Sequence, residues 1–151
     1  MRFLYASYEI DASPTQRDGI LYRPEVAIDV IGPVATETIQ ALVDTGSDET
    51  VFPVSLANAI GVRLEHSSSG RAAAVGGHAV ELIPGNVILQ IIHDGEEYRW
   101  ETKVSFLETN SPEEEVALLG YAGFLEFFRA TFDSEKHELE LMANSQLRSL
   151  A

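Results

Sequence analysis

The stretch Ala41-Leu42-Val43-Asp44-Thr45-Gly46-Ser47 decides how this chain is read. An apolar run feeds directly into an acid, a small hydroxyl residue, a glycine and a serine. Asp, Thr and Gly are common turn residues, so the tetrapeptide alone reads equally as a strand end. Its surroundings add to it. The preceding run is apolar, so Asp44 leaves a buried element. A helix pattern begins within ten residues, and Leu118-Leu119-Gly120 follows about 75 residues downstream, ahead of a phenylalanine cluster.

Strand patterns dominate on either side. Glu25–Ile31 alternates Val26, Ile28 and Val30, the period of a strand with one buried face. Gly32-Pro33 breaks it, and Thr38–Val43 is expected as the returning partner. Val87–Ile92 is continuously apolar, which predicts a strand buried on both faces. Asp94-Gly95 marks a hairpin, with Tyr98–Leu107 as its second arm. Val116–Leu119 is short and apolar. Ala130–Phe132 and Leu139–Leu141 flank a further turn at Ser134–His137. Helix is expected at Pro53–Ile60, with Pro53 near the first helical position and Gly61 as cap. A second is expected at Ala122–Phe128, where Phe124, Phe127 and Phe128 fall at helical spacing. Ser67–Gly77 is rich in small residues and suits a mobile loop or a flexible hairpin tip. Thr109–Glu115 is an acidic loop, and Ser145–Ala151 is expected to fray. The sum is a mainly-β domain with one or two short helices.

Composition narrows the function classes. The chain has 151 residues and no cysteine, with 10 Lys and Arg against 24 Asp and Glu, a formal charge of −14. One domain is the natural expectation at this length. The acidic balance argues against nucleic acid, whose phosphates require cations, and against anionic membrane surfaces. Absence of cysteine removes disulfides, thiolate metal sites and cysteine nucleophiles. His66, His78, His93 and His137 show no metal-ligand spacing, and neither metal nor cofactor is expected. No apolar run reaches the ~18 residues of a membrane span, and Met1–Glu9 lacks the apolar core of a secretory signal. A cytoplasmic location is therefore expected.

With these residues in view, the sequence resembles the retropepsin-like aspartic peptidases. The likeness covers roughly residues 25–142. It rests on Ala41–Val51, a glycine-rich segment at Val75-Gly76-Gly77, and Leu118-Leu119-Gly120 followed by Gly123–Phe128. The ending Phe128–Leu141 is closer to bacterial members than to viral ones. The resemblance implies a closed β-barrel with a flap hairpin, one lobe per chain, preceded by a partly ordered extension over 1–24 and followed by a tail over 143–151. It implies an endopeptidase whose substrate is an extended polypeptide. No second Asp-Thr-Gly or Asp-Ser-Gly occurs in the chain, so the catalytic pair needs Asp44 from each of two chains in a homodimer.

The resemblance also assigns roles. Asp44 is the catalytic carboxylate. Thr45 hydrogen-bonds across the dimer, Gly46 turns its N–H to the carboxylate, and Ser47 is expected to bond the outer oxygen of Asp44, lowering the pH optimum. Val75, Gly76 and Gly77 form the flap over substrate. Leu118, Leu119 and Gly120 pack beneath the active-site loop. One departure stands out. Retroviral members carry an arginine after the last of these glycines, paired with the acid that Asp48 matches. Here the position is Tyr121, and Arg129 is the candidate substitute. No Lys or Arg occurs between Pro24 and Val62, so the local sequence supplies no cation to Asp44. The competing expectation is a non-catalytic module that keeps the barrel for dimerisation or peptide binding.

Overall fold

The computed structural model describes residues 1–73, 77 and 79–151. In chain order the strands are β1 (Arg2–Leu4), β2 (Ala6–Glu9), β3 (Ile20–Arg23), β4 (Glu25–Ile31), β5 (Thr36–Val43) and β6 (Val51–Pro53). The helix α1 (Val54–Ile60) follows, then β7 (Gly70–Ala73), β8 (Ala79–His93), β9 (Glu96–Leu107), β10 (Leu118–Leu119), β11 (Phe128–Asp133) and β12 (Glu138–Ala143). The protein is mainly β, built on a large mixed sheet.

That sheet has the order β4-β5-β10-β6-β9-β8-β7, and β4 pairs in addition with β8. The hydrogen-bonding circuit therefore returns to the strand on which it began. A second sheet, β1-β12-β11, lies beside it, and β2 pairs with β3. Alternation decides which side chains enter the core. On β4, Val26, Ile28 and Val30 are buried while Ala27 is exposed; on β8, Val87, Leu89 and Ile91 are buried. Trp100, Phe52, Phe106 and Phe124 are the largest side chains of the interior. Trp100 Nε1–H donates to Gly123 O at 3.1 Å, so its one polar atom is satisfied.

The sequence signals explain most of these elements. Asp94 and Gly95 both have positive φ, 50° and 81°, the backbone of a two-residue turn whose twist suits a hairpin. His93 pairs with Glu96 across it. α1 ends on Gly61 at φ 77°, whose N–H donates to Ala57 O. Pro53 is the residue preceding the helix rather than its first turn.

Three expectations are corrected. Ala122–Phe128 does not form an α-helix: a single 3-10 turn over Leu125–Phe127 leads straight into β11. Gly123, at φ 92°, bends the chain and its N–H is taken by Glu126 Oε1 at 2.7 Å. Val87–Ile92 is not a strand buried on both faces. It lies in the second half of the 15-residue β8, and Ile92 is 56% exposed. Residues 145–151 are not simply frayed. Ser149 Oγ accepts the Arg99 N–H at 3.3 Å and Leu150 N–H donates to Arg99 O, while Leu147 packs on the core. The tail thus runs along the edge of β9.

The first 24 residues contribute β1, β2 and β3. Phe3 is buried in the core, and the Tyr8 hydroxyl donates to Glu25, tying β2 to β4. That bond to a carboxylate pushes the Tyr8 hydroxyl above the usual phenol range. Among the described residues, no helix is long and apolar enough to cross a membrane.

Candidate active site

β5 delivers Asp44 to the surface from a buried start. Ala41 and Val43 are buried and Asp44 is half-buried, while Thr45, Gly46 and Asp48 are exposed. β10 lies parallel to the end of β5, pairing Leu118 with Leu42 and Leu119 with Val43. It is also paired with β6, through Leu118 and Val51. A two-residue strand is thereby inserted between the two strands that flank residues 44–50.

This insertion braces the loop from below. Asp44 N–H donates to Leu119 O at 3.1 Å, Tyr121 N–H to Ser47 O at 2.9 Å and Ala122 N–H to Asp48 O at 3.0 Å. Thr50 N–H returns a bond to Ala122 O at 2.9 Å. Gly120 is where the two segments touch. A Cβ there would sit 2.2 Å from Glu49 O and 2.6 Å from Ser47 O, both backbone atoms. Only glycine fits without moving the loop. Leu119, fully buried, anchors the brace, and burying such a side chain is worth about 1.5–3 kcal/mol.

Within the loop, Gly46 N–H donates to Asp44 Oδ1 at 2.9 Å, as expected for an acid held at a strand end. Ser47 departs from its expected role. Its hydroxyl donates to Glu49 O at 2.7 Å and not to the Asp44 carboxylate, because the loop turns it inward to satisfy a carbonyl. An acid-shifted optimum through a Ser47–Asp44 bond therefore has no bond to rest on. Thr45 makes no side-chain hydrogen bond among the described residues and its surface is open. Neither Arg99 nor Arg129 forms an ion pair with Asp44 or Asp48 among the described residues; Arg129 is exposed on β11. The substitute role expected for Arg129 is thus not seen within this chain.

Of the expected flap residues, Val75 and Gly76 lie outside the described residues. Gly77 is exposed, with φ 79°, and no atom of a described residue lies within 4 Å of where its Cβ would stand. It sits at the end of a hairpin in which β7 and β8 pair from Gly70–Leu82 to Ala73–Ala79. Phe124 and Phe128 are core residues set tilted and edge-on around Trp100, with ring centroids 5.9 and 5.6 Å away.

Sequence reasoning missed a second layer. Glu49 Oε1 accepts the Ser105 hydroxyl at 2.8 Å, and Ser105 N–H donates to Thr50 O. β9 therefore holds the far end of the Asp44 loop. A signal existed: Ser105 interrupts Val104 and Phe106, and a buried polar residue in a core strand requires a partner. Among the described residues, no three His, Cys, Asp or Glu side chains gather as a metal site.

Chemically, the arrangement offers one carboxylate per chain, oriented by a backbone N–H, with exposed loop residues beside it. No family model matches the chain, and no curated protein matches it.

Proposed function

We propose that the protein is an aspartic endopeptidase of retropepsin-like type, active as a homodimer. The observation that carries this reading is the braced Asp44 loop. Its carboxylate is fixed by Gly46 N–H, its backbone hangs on Leu119, and Gly120 leaves no slack beneath it. Ordinary strand-end turns do not need a separate strand inserted under them. The returning circuit of ladders through β4, β5, β10, β6, β9 and β8 supports a closed barrel, and the β7–β8 hairpin supports a flap.

In the dimer, two Asp44 carboxylates meet across a two-fold axis. Two such groups held close cannot both ionise cheaply, so they share one proton, as in aspartic proteases generally. The pair then titrates as a unit. Its charged member takes a proton from a bound water, which attacks the scissile carbonyl. Its neutral member donates a hydrogen bond to the carbonyl oxygen. Thr45, exposed beside the carboxylate, ties one loop to the other. Substrate lies extended, held by backbone bonds and side-chain pockets.

The test compares wild type with Asp44→Asn on unfolded casein between pH 4 and pH 7, with sedimentation of both samples. Cleavage by wild type alone, from a dimeric species, supports the reading. Equal behaviour of the two proteins, or cleavage by a strict monomer, overturns it.

A further inference from the structure

Where β4 meets β8, the sheet stops short. Their ladder pairs Asp29 with Gln90, Val30 with Leu89 and Ile31 with Ile88, and continues no further toward the start of β4. The next residues of the hydrogen-bonding register, Ala27 and Ile92, are not paired with each other. Alternation in antiparallel ladders fixes where their backbone groups point. Val43 N–H donates to Pro24 O, so in the β4–β5 register Val26 and Ile28 bond to β5. Glu25 and Ala27 then turn their N–H and C=O groups to the opposite edge. On β8 the tight turn pairs His93 with Glu96, so His93 and Ile91 bond to β9 and Ile92 faces the seam.

β1 follows the same rule. Met1 and Leu141 exchange both of their backbone bonds, and Tyr5 N–H donates to His137 O. Phe3 therefore bonds to β12, while Arg2 and Leu4 face away from it. The Arg2 carbonyl is met by His93 Nε2 at 2.6 Å.

These three strand edges rim a single cleft of about 490 Å³, lined by Arg2, Leu4, Glu25, Ala27, Ile92 and Asp94 among others. The volume lies within the roughly 300–1,000 Å³ of ligand sites. The free edge of β4, Glu25 to Ile28, is about 13 Å long at ~3.3 Å per residue. On the outer face the walls are apolar, since Leu4 is 77% and Ile92 56% exposed. The charges are unequally committed. Arg2 is paired with Glu138 and Glu140, and Glu25 with Arg23 and Tyr8. The Asp94 side chain is 79% exposed, and its one ion-pair contact among the described residues is with His93.

We propose that this cleft binds an extended peptide segment of another protein, added as a strand along the free edge of β4. Its backbone bonds to Glu25 and Ala27, its apolar side chains cover Leu4 and Ile92, and a Lys or Arg sits beside Asp94. An unpaired strand edge is a template for such addition. The chain's charge of −14 selects against acidic segments and for basic ones. The site uses none of the Asp44 loop, so it stands or falls separately from the proposed peptidase activity.

The test titrates the peptide acetyl-Lys-Val-Thr-Val-Lys-amide into the ¹⁵N-labelled full chain, followed by NMR. Saturable shifts at the amides of Leu4, Glu25, Ala27 and Ile92, unchanged in Asp44→Asn, are expected. Methylating alternate backbone nitrogens of the peptide should weaken binding about tenfold or more, the loss of one or two hydrogen bonds. Exchanging its lysines for glutamate, or Ile92→Glu in the protein, should each weaken it several-fold. Absence of saturable shifts, shifts confined to residues 44–49, or equal binding of the methylated peptide would overturn the proposal.

Discussion

Asp44 directly follows β5 and Asp133 closes β11, and both use the same local chemistry. Asp44 Oδ1 accepts the Gly46 N–H at 2.9 Å; Asp133 Oδ1 accepts the Glu135 and Lys136 N–H groups at 3.0 Å each. After Asp133 the chain returns along its own strand, β12 pairing with β11 residue for residue. After Asp44 it travels round β10, a strand from some 75 residues later in the sequence. The aspartate bond is therefore not what distinguishes a candidate site from a turn. The difference is the support: one loop rests on its own hairpin, the other on a separate segment that fits only because residue 120 is glycine.

The comparison can be broken in four places. The largest effect is expected on activity. Asp44→Asn should lower cleavage of unfolded polypeptide by about a thousandfold or more, whereas Asp133→Asn should leave it intact; equal inactivation of the two would erase the distinction. Gly120→Ala should cost about 3 kcal/mol or more in urea unfolding, since its Cβ meets backbone at 2.2 Å. Gly95→Ala, in the open β8–β9 turn, should cost only about 1–2 kcal/mol for its positive φ. Asp133→Ala removes two turn bonds and should cost about 1–2 kcal/mol with cleavage unchanged. Ser47→Ala should cost about 1 kcal/mol and leave the pH profile of cleavage unshifted, because its hydroxyl serves Glu49 O. A shift toward neutral pH in that variant would restore the role first expected of Ser47.

The sequence was most legible where one local rule acts alone. β4 could be read residue for residue because Val26, Ile28 and Val30 alternate against polar or small neighbours. The β8–β9 turn was plain because Asp94-Gly95 fits few other conformations. Legibility failed where a distant segment decides the outcome. The spacing of Phe124, Phe127 and Phe128 mimics a helix, yet Trp100 gathers these rings around itself from the residue before a 3-10 turn, the end of that turn and the start of β11. The polar tail looked loose because nothing local reveals that β9 leaves a free edge at Arg99. Within the site, Asp44, Gly46, Leu119 and Gly120 were visible in the motif and its spacing. Ser47 was misassigned because a hydroxyl one turn from a carboxylate has several acceptors within reach, and only the loop geometry chooses among them. Glu49 and Ser105 went unseen because they lie far apart in sequence and meet only through the pairing of β6 with β9.

The pairing of β1 with β12 has a consequence for the order of folding. Arg2, Phe3 and Leu4 face Glu140, Leu139 and Glu138, so β1 has no partner until β12 has been synthesised. Contacts of such long sequence separation form slowly, because loop closure precedes any gain. During that interval Phe3 lacks the core place it later fills, and the nascent amino-terminal strand is open to wrong partners. Synthesis slowed before β11 would lengthen that exposure, and a chaperone that holds β1 would shorten it.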